Sequence, residues 1–397
     1  MLSGRLYLTR ASQLIVSFRH HTTACLSNNH EVLIISHKKK NEHFPLVWLR
    51  DNCRCPMCFH TKSNSRIINW RDFNISPKVT FLEVVDNDII LRWQDDHISK
   101  FNTDWLIEHS FLKESQNKYL EKKYRPVRVA WNKNNVLSKI GSYSFEEVIT
   151  QNATLHRWLM DLAKYGLAFL QNVPSDKNQC KKLANRIAFS RRTRYQDEFD
   201  VMTQSETSNA YLESLLQMHT DSPYYEYTPG ITCLHCLMQT ETLGEESSLS
   251  DGLYITEKLR KENKEIFDIL STVNVNWVDR DEHGEKYHRI LRAPVIKLNS
   301  EGNVEKIIHS ISQRDSHFSV DLGLVKPWYK ALKVFIDLMY QERYQYKLKQ
   351  GQLLAFDNTR IIYGGLTYKN SNNNKRHIIG CHIDWDEVYS KIRVLQN

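Results

Sequence analysis

The sequence predicts a mainly β protein of two domains with flanking helices, and three patterns carry that expectation. Residues 31–109 alternate short apolar, β-branched runs with Asn, Asp and Pro turns, as in Glu31-Val32-Leu33-Ile34-Ile35 and Ile89-Ile90-Leu91-Arg92-Trp93. Residues 110–140 are polar and lysine-rich with little periodicity (Lys113-Glu114-Ser115-Gln116-Asn117-Lys118), which suits a connector. Beyond residue 210 strands and turns dominate again, interrupted by helices near 256–264 and 326–340. The second domain, residues 141–397, opens helically: Ser144 and Glu147 have capping-box spacing, and Val148, Leu155, Trp158, Leu159 and Leu162 mark an apolar face. Gly166-Leu167-Ala168-Phe169-Leu170 then reads as a buried strand and 177–187 as a further helix. No internal repeat is present.

A chain of 397 residues, 41% hydrophobic and 11% aromatic, can bury two cores. No run approaches the roughly 18 apolar residues of a spanning helix, so no membrane segment is expected. The net charge of +8 comes from Lys and Arg scattered among 46 acidic residues, without the one-sided basic stripe that nucleic acid requires. A cationic pocket for small acids is the better use of that excess. Residues 1–30 carry Arg5, Arg10 and Arg19, several Ser and Thr, and no acid before Glu31. That composition predicts a mitochondrial presequence, outside the fold; a basic tail on a cytoplasmic protein is the alternative.

Two constellations have the spacing of metal ligands. Cys53, Cys55 and Cys58 present three thiols within six residues, better suited to one ion than to a disulfide framework. A tetrahedral zinc takes one more nitrogen or sulfur, from His97 at the turn Asp95-Asp96-His97, from His60, or from Cys25. The second is His219-Thr220-Asp221. In an extended segment His219 and Asp221 face one side and Thr220 the other, giving two thirds of the triad that leaves positions on Fe(II) open for oxygen and an oxo-acid. His382-Ile383-Asp384 repeats the pattern, but no histidine follows it, whereas most of a barrel's length follows Asp221. The earlier pair is preferred.

The chain resembles the γ-butyrobetaine and trimethyllysine dioxygenases from about residue 31 onward. The resemblance is carried by Trp48-Leu49-Arg50-Asp51-Asn52-Cys53, by His219-Thr220-Asp221 with Pro229-Gly230 and Leu234-His235-Cys236, by Asp251-Gly252, by Phe356-Asp357-Asn358 with Arg360, and by Arg376-His377. It implies a small zinc-binding β-rich N-terminal domain, residues 31–109, before a double-stranded β-helix, or jelly-roll, that holds iron at its mouth. It further implies zinc on Cys53, Cys55, Cys58 and His97, Fe(II) on His219 and Asp221, and 2-oxoglutarate with its distal carboxylate on Arg376, where a planar guanidinium forms a two-toothed pair. Ascorbate as reductant and a homodimer follow from the same likeness. In the implied reaction 2-oxoglutarate is decarboxylated to succinate while an unactivated carbon is hydroxylated. A quaternary ammonium substrate offers no hydrogen to donate, so the family meets it with aromatic faces, which align with Tyr195, Phe199 and Tyr211.

The sequence departs from that family where a third iron ligand is expected. The family's histidine, 13 residues before the cosubstrate arginine, is Tyr363 here, in Ile362-Tyr363-Gly364-Gly365, and the arginine two residues later is Gly365. A further aromatic wall residue is His382. It shares strand parity with Arg376, but six residues at about 3.3 Å each put roughly 20 Å between them, which favours the substrate wall over the metal. Asp384-Trp385-Asp386 and the Cys-X-Cys spacing resemble the γ-butyrobetaine enzymes; the presequence resembles the mitochondrial trimethyllysine enzymes. A binding protein without catalysis on the same fold is the reading that Tyr363 motivates.

Overall fold

The structure, a computed structural model, describes residues 22–38, 40–202, 217–239, 246–281, 286–365 and 376–396. It divides into two compact units, Met1–Tyr124 and Arg125–Asn397.

The first unit is built from antiparallel hairpins. β1 (Thr22–Leu26), β2 (Val32–His37) and β3 (Lys40–Pro45) form one sheet, and a helix follows over Leu46–Asp51. β4 (Phe59–His60) pairs with β5 (Ser65–Arg66), and β6 (Val79–Val85), β7 (Asp88–Trp93) and β8 (Ile98–Asn102) make a second three-stranded sheet. Alternate residues of these strands turn inward, so Leu33 and Ile35, Ile89, Leu91 and Trp93, with Phe44, Leu46, Leu49 and Phe101, make one core. The expectation that residues up to 30 stand outside the fold is corrected here. β1 pairs with β2 from Thr22 opposite His37 to Leu26 opposite Leu33, and Ala24 is buried in the core. Residues 1–21 lie outside the described residues.

The connector is shorter and more ordered than its composition suggests. A helix spans Lys113–Tyr119 and a π-helical turn Leu120–Tyr124. From Arg125 the chain packs into the second unit: the Val129 amide donates to the Lys164 carbonyl, and buried Trp131 donates through its indole to the Tyr165 carbonyl.

The second unit contains β9 (Ser142–Ser144), β10 (Leu167–Gln171), β11 (Phe199–Met202), β12 (Ile231–Gln239), β13 (Ser247–Asp251), β14 (Val275–Asp281), β15 (Tyr287–Ala293), β16 (Ile296–Leu298), β17 (Val304–Ile307), β18 (Tyr344–Tyr346), β19 (Leu353–Asp357), β20 (Ile361–Gly365) and β21 (Arg376–Ile383). A six-stranded sheet in the order β11-β21-β12-β19-β10-β9 faces a three-stranded sheet in the order β18-β13-β20. This is the jelly-roll. The period of two sorts each strand into an inner and an outer set. Phe169, Leu234, Cys236, Leu354, Phe356 and Ile378 fill the interior with Leu249 and Ile361 of the smaller sheet. Ile231, Cys233, Leu353, Ala355, Ile379, Cys381 and Ile383 face outward, under the helices Phe145–Thr150, Asn152–Tyr165, Gln179–Ile187 and Trp385–Leu395. By that parity Thr232, Arg376 and His382 belong to the interior.

Local signals held unevenly. Ser144 stands at the N-cap of the first of these helices, but its side chain makes no cap hydrogen bond. The helix expected near 256–264 is two helices. Asp251 caps Gly252–Glu262 through the Leu253 amide, and Asn263 breaks it and caps Lys264–Thr272 through the Ile266 amide. The last long helix runs Leu322–Gln341, a turn earlier than its periodicity suggested, with Pro327 inside it.

Candidate metal and cosubstrate site

His219 does not lie in a continuous strand. It forms a single bridge to Tyr363 of β20, each amide donating to the other's carbonyl at 2.7 and 2.9 Å. The Thr220 amide turns the other way and donates to the His309 carbonyl at 2.7 Å, so the segment is extended and clamped on both edges. Gly364 permits this approach, because a Cβ there would stand 2.8 Å from the Met218 backbone.

Within that clamp His219 Nε2 and Asp221 Oδ1 are 3.2 Å apart. Two adjacent ligands on octahedral bonds of roughly 2.1 Å stand about 3 Å apart, so one ion fits both atoms. His219 Nδ1 lies 2.9 Å from the Gln217 carbonyl, which can only accept. A proton on Nδ1 is therefore held by that carbonyl, which leaves Nε2 as the atom that donates to Asp221 when protonated and that could ligate an ion when not. Asn358 holds the Asp221 backbone from both sides, accepting from its amide at 2.6 Å and donating to its carbonyl at 2.9 Å. The Thr232 hydroxyl donates to Asp221 Oδ2 at 2.9 Å. Burial opposes ionisation of both groups, yet their mutual bond raises the His219 imidazole and brings the Asp221 carboxyl down to about 2.

The rest of the expected site is partly assembled. Tyr363 stacks on Phe356 at 5.3 Å between centroids, and its hydroxyl is 3.5 Å from Arg376 Nη2. Among the described residues no third His, Cys or carboxylate atom lies within 4.8 Å of both His219 and Asp221. His382 is linked to the pair through Thr232. Cross-strand pairing puts it opposite Thr232, whose hydroxyl is 3.2 Å from His382 Nδ1 while bonding Asp221. Burial holds its imidazole below the usual value. Phe199 packs on His382 at 5.2 Å and lies 6.1 Å from Tyr195. Tyr195, Phe199, His382, His219 and Asp221 line one cavity of about 380 Å³, together with Arg194. Tyr211 lies outside the described residues.

The cysteine cluster is complete in its donors. Cys53, Cys55, Cys58 and His97 offer atoms all within 4.8 Å of one another, with His97 Nε2 at 3.3, 3.6 and 3.6 Å from the three sulfurs. A tetrahedral zinc with ordinary bond lengths sets the sulfur-to-nitrogen edge at about 3.6 Å. Cys58 is turned back by its amide bond to the Cys55 carbonyl. His97 is presented by the tight turn between β7 and β8, where Asp96 takes φ of 61°. Arg50 Nη1 donates to Cys58 Sγ at 3.4 Å, while burial pushes the Cys58 thiol up to about 12. Holding three thiolates here requires a cation between them. The other two candidate donors are elsewhere: Cys25 is opposite Ile34 in the β1–β2 ladder, and His60 is bonded to Ser63.

Comparison with known proteins decides the family. The family model described as taurine catabolism dioxygenase TauD, TfdA family matches residues 124–382, and a model described as gamma-butyrobetaine hydroxylase-like, N-terminal, matches residues 25–107. The chain belongs to the TauD, TfdA dioxygenase family. It is 31% identical to the gamma-butyrobetaine dioxygenase of Homo sapiens over 94% of this chain and 96% of that one, and 31% identical to that of Pseudomonas sp. (strain AK-1) over 89% and 90%. It is 28% identical to the mitochondrial trimethyllysine dioxygenase of Homo sapiens, over 95% of this chain and 89% of that one. As a TauD-family protein it is an iron- and 2-oxoglutarate-dependent dioxygenase. No helix among the described residues is long and apolar enough to cross a membrane.

Several residues that matter to this TauD-family site carried no role in the sequence reading. Asn358 stood in a quoted motif, and Thr232 in none. Arg360 and Asp251 form a buried pair with two bonds of 2.8 Å, and Arg360 also donates to the Lys164 and Val129 carbonyls. They frame the turn that carries Asn358, and losing one partner of such a pair typically costs about 3–5 kcal/mol. His309 is buried behind Thr220 with neither ring nitrogen bonded. Strand parity was the available signal for Thr232; nothing in sequence spacing pointed to His309.

Proposed function

We propose that the chain hydroxylates a small trimethylammonium acid, γ-butyrobetaine in preference to trimethyllysine, using 2-oxoglutarate and oxygen. The observation that carries this reading is the His219–Asp221 pair, 3.2 Å apart in the wall of an aromatic-lined cavity, in a chain that matches gamma-butyrobetaine dioxygenases along nearly their whole length. Iron bound there supplies the oxidising chemistry that places a hydroxyl on an unactivated carbon. The chain's own residues do the rest. Gln217 fixes the His219 tautomer, Asn358 and Thr232 aim Asp221, and Arg376 receives the distal carboxylate of 2-oxoglutarate beside Tyr363. Tyr363 holds the position of the third ligand, so His219, Asp221 and the chelating cosubstrate would hold the iron. Phe199, His382 and Tyr195 form the wall toward the substrate.

Zinc on Cys53, Cys55, Cys58 and His97 is a structural ion in this reading, supported by the tetrahedral edge lengths. The mitochondrion is the proposed location, on the basic, acid-free composition of residues 1–21, before β1, and on relatives named mitochondrial. A homodimer, to be checked by light scattering, is the proposed assembly.

Purified protein with Fe(II), ascorbate, oxygen and 2-oxoglutarate, scored for succinate with each amine beside a Tyr363→His variant, tests the function. The expected outcome is succinate coupled to γ-butyrobetaine hydroxylation by the unmodified chain, with iron half-saturation about tenfold lower in the variant, which gains a third strong donor. A silent unmodified chain beside an active variant sinks native turnover and leaves a binding protein on this fold.

A further inference from the structure

The cavity wall already contains a fixed cation. The Arg194 guanidinium lies 4.4 Å from the Tyr195 ring centroid and 5.4 Å from that of Tyr287. Its Nη1 is 3.3 Å from Asp279 Oδ2, its Nη2 donates to the Tyr195 hydroxyl, and its backbone amide donates to the Tyr225 hydroxyl at 3.3 Å. Tyr287 in turn donates to the same Asp279 oxygen at 3.1 Å, so the β14–β15 hairpin fixes the anion that fixes the arginine. Arg194 is thus held in place before any ligand arrives, yet about a quarter of its side chain is open, and it lines the cavity that contains His219 and Asp221.

A ring that stacks on a guanidinium is a poor receiver for a second cation. Asp279 offsets much of the charge of Arg194, but the guanidinium covers the Tyr195 face on which a second cation would have to stack. A carboxylate at the open part of Arg194 gains instead from its directed, charge-assisted N–H donors. Another part of the aromatic wall is the Phe199–His382 pair, which has no guanidinium stacked on it among the described residues.

We infer that Arg194 is a specificity-determining residue of this cavity: it receives the carboxylate of a zwitterionic substrate and directs the ammonium end away from Tyr195, toward Phe199 and His382. The inference rests on the trimethylammonium-acid reading above and fixes which end of such a molecule meets which wall.

Calorimetric titration of the full chain, loaded with Mn(II) and 2-oxoglutarate, tests it with three probes. They are γ-butyrobetaine, the acid in which a tert-butyl group replaces the trimethylammonium, and the quaternary amine in which a CH2OH group replaces the carboxylate. The unmodified protein should bind the tert-butyl acid at least about tenfold more tightly than the quaternary alcohol. Arg194→Gln should cost both acids about tenfold or more and leave the alcohol unchanged or tighter. Arg194→Gln with Asp279→Asn, which leaves no uncompensated carboxylate, should do the same with 2-oxoglutarate affinity retained. Acid affinity indifferent to Arg194 in both variants, or a preference for the alcohol over the tert-butyl acid, overturns the assignment. Arg194-dependent binding of the tert-butyl acid without succinate from γ-butyrobetaine would keep the assignment and remove the γ-butyrobetaine reading. Turnover of γ-butyrobetaine with Arg194-independent affinity does the reverse.

Discussion

The cysteine cluster of the first unit and the His219–Asp221 pair of the second both bring donors of metal-ligand type together, by different means. Three of the cluster's donors come from Cys53, Cys55 and Cys58, and the fourth from one tight turn, so the local chain path nearly defines the site. The His219–Asp221 pair depends on a single bridge to Tyr363 and on side chains from distant strands: Asn358 holds the Asp221 backbone, and Thr232 its carboxylate. The scaffold around that pair is fixed by groups that need no metal, above all Arg360 with Asp251. A donor can therefore be exchanged for tyrosine there without touching the fold, whereas the cluster has no such reserve.

The sharpest way to break that contrast is to remove one donor from the cluster. Cys55→Ser should drop zinc from about one per chain to less than about a tenth and add an early transition to thermal unfolding, since a structural zinc contributes on the order of 10 kcal/mol in small metal-held folds. Metal analysis and circular dichroism on the full chain check both. Stripping iron with a chelator should leave the melting profile of the unmodified protein where it was. Zinc retained in the serine variant would mean that the donor set is not the one gathered here.

A smaller effect is expected from Thr232→Val, which keeps the shape and removes the hydroxyl shared by Asp221 Oδ2 and His382 Nδ1. Losing an outer partner of a ligand typically weakens metal binding about 10- to 100-fold. Iron titration followed by succinate release should show a shift at the lower end of that range, with zinc content unchanged. An unaltered iron half-saturation would show that Asn358 alone positions Asp221.

The difference between the two sites also explains what the sequence made legible. Cys-X-Cys-X2-Cys is visible because its chemistry is local, and His219-Thr220-Asp221 because a period of two is local as well. The roles of Thr232 and Asn358 are not local: parity can turn Thr232 inward, but both are brought to Asp221 by the pairing of β12 with β19 and β21, and register is a property of the whole sheet. The jelly-roll was expected from motifs spread over the chain, while its core assignment followed strand parity. The limit of residues 1–30 was misjudged because presequence composition and an amphipathic edge strand look alike until β1 is seen bonded to β2. His382 lines the cavity and is not grouped with His219 and Asp221 as a third donor, but it shares the Thr232 hydroxyl with Asp221, a link that runs across strands and that spacing along its own strand does not show.

The least perturbing test concerns a histidine whose ring nitrogens have no hydrogen-bond partner among the described residues. His309 packs its ring against Phe335 at 5.7 Å and leaves both nitrogens buried without hydrogen bonds. Burial, with His219 and Arg314 nearby, pushes its imidazole down to about 3. In the unfolded chain the same ring titrates near 6.5. Above that value both states carry it neutral and it contributes no pH dependence. Below about 6.5 only the unfolded state takes the proton, so stability falls as pH drops toward the native value near 3, by at most about 1.4 kcal/mol per pH unit. His309→Phe should flatten the slope of unfolding free energy between about pH 6 and 4 by up to that amount, measured in urea at a series of pH values. An unchanged slope would show that the native ring accepts a proton, and with it that the wall behind His219 is more polar than a buried, unbonded imidazole allows. His97 supplies the contrast, because its Nε2 faces three sulfurs: with zinc bound, acid should act on that unit through loss of the metal, as a cooperative step and not as the shallow slope of one buried ring.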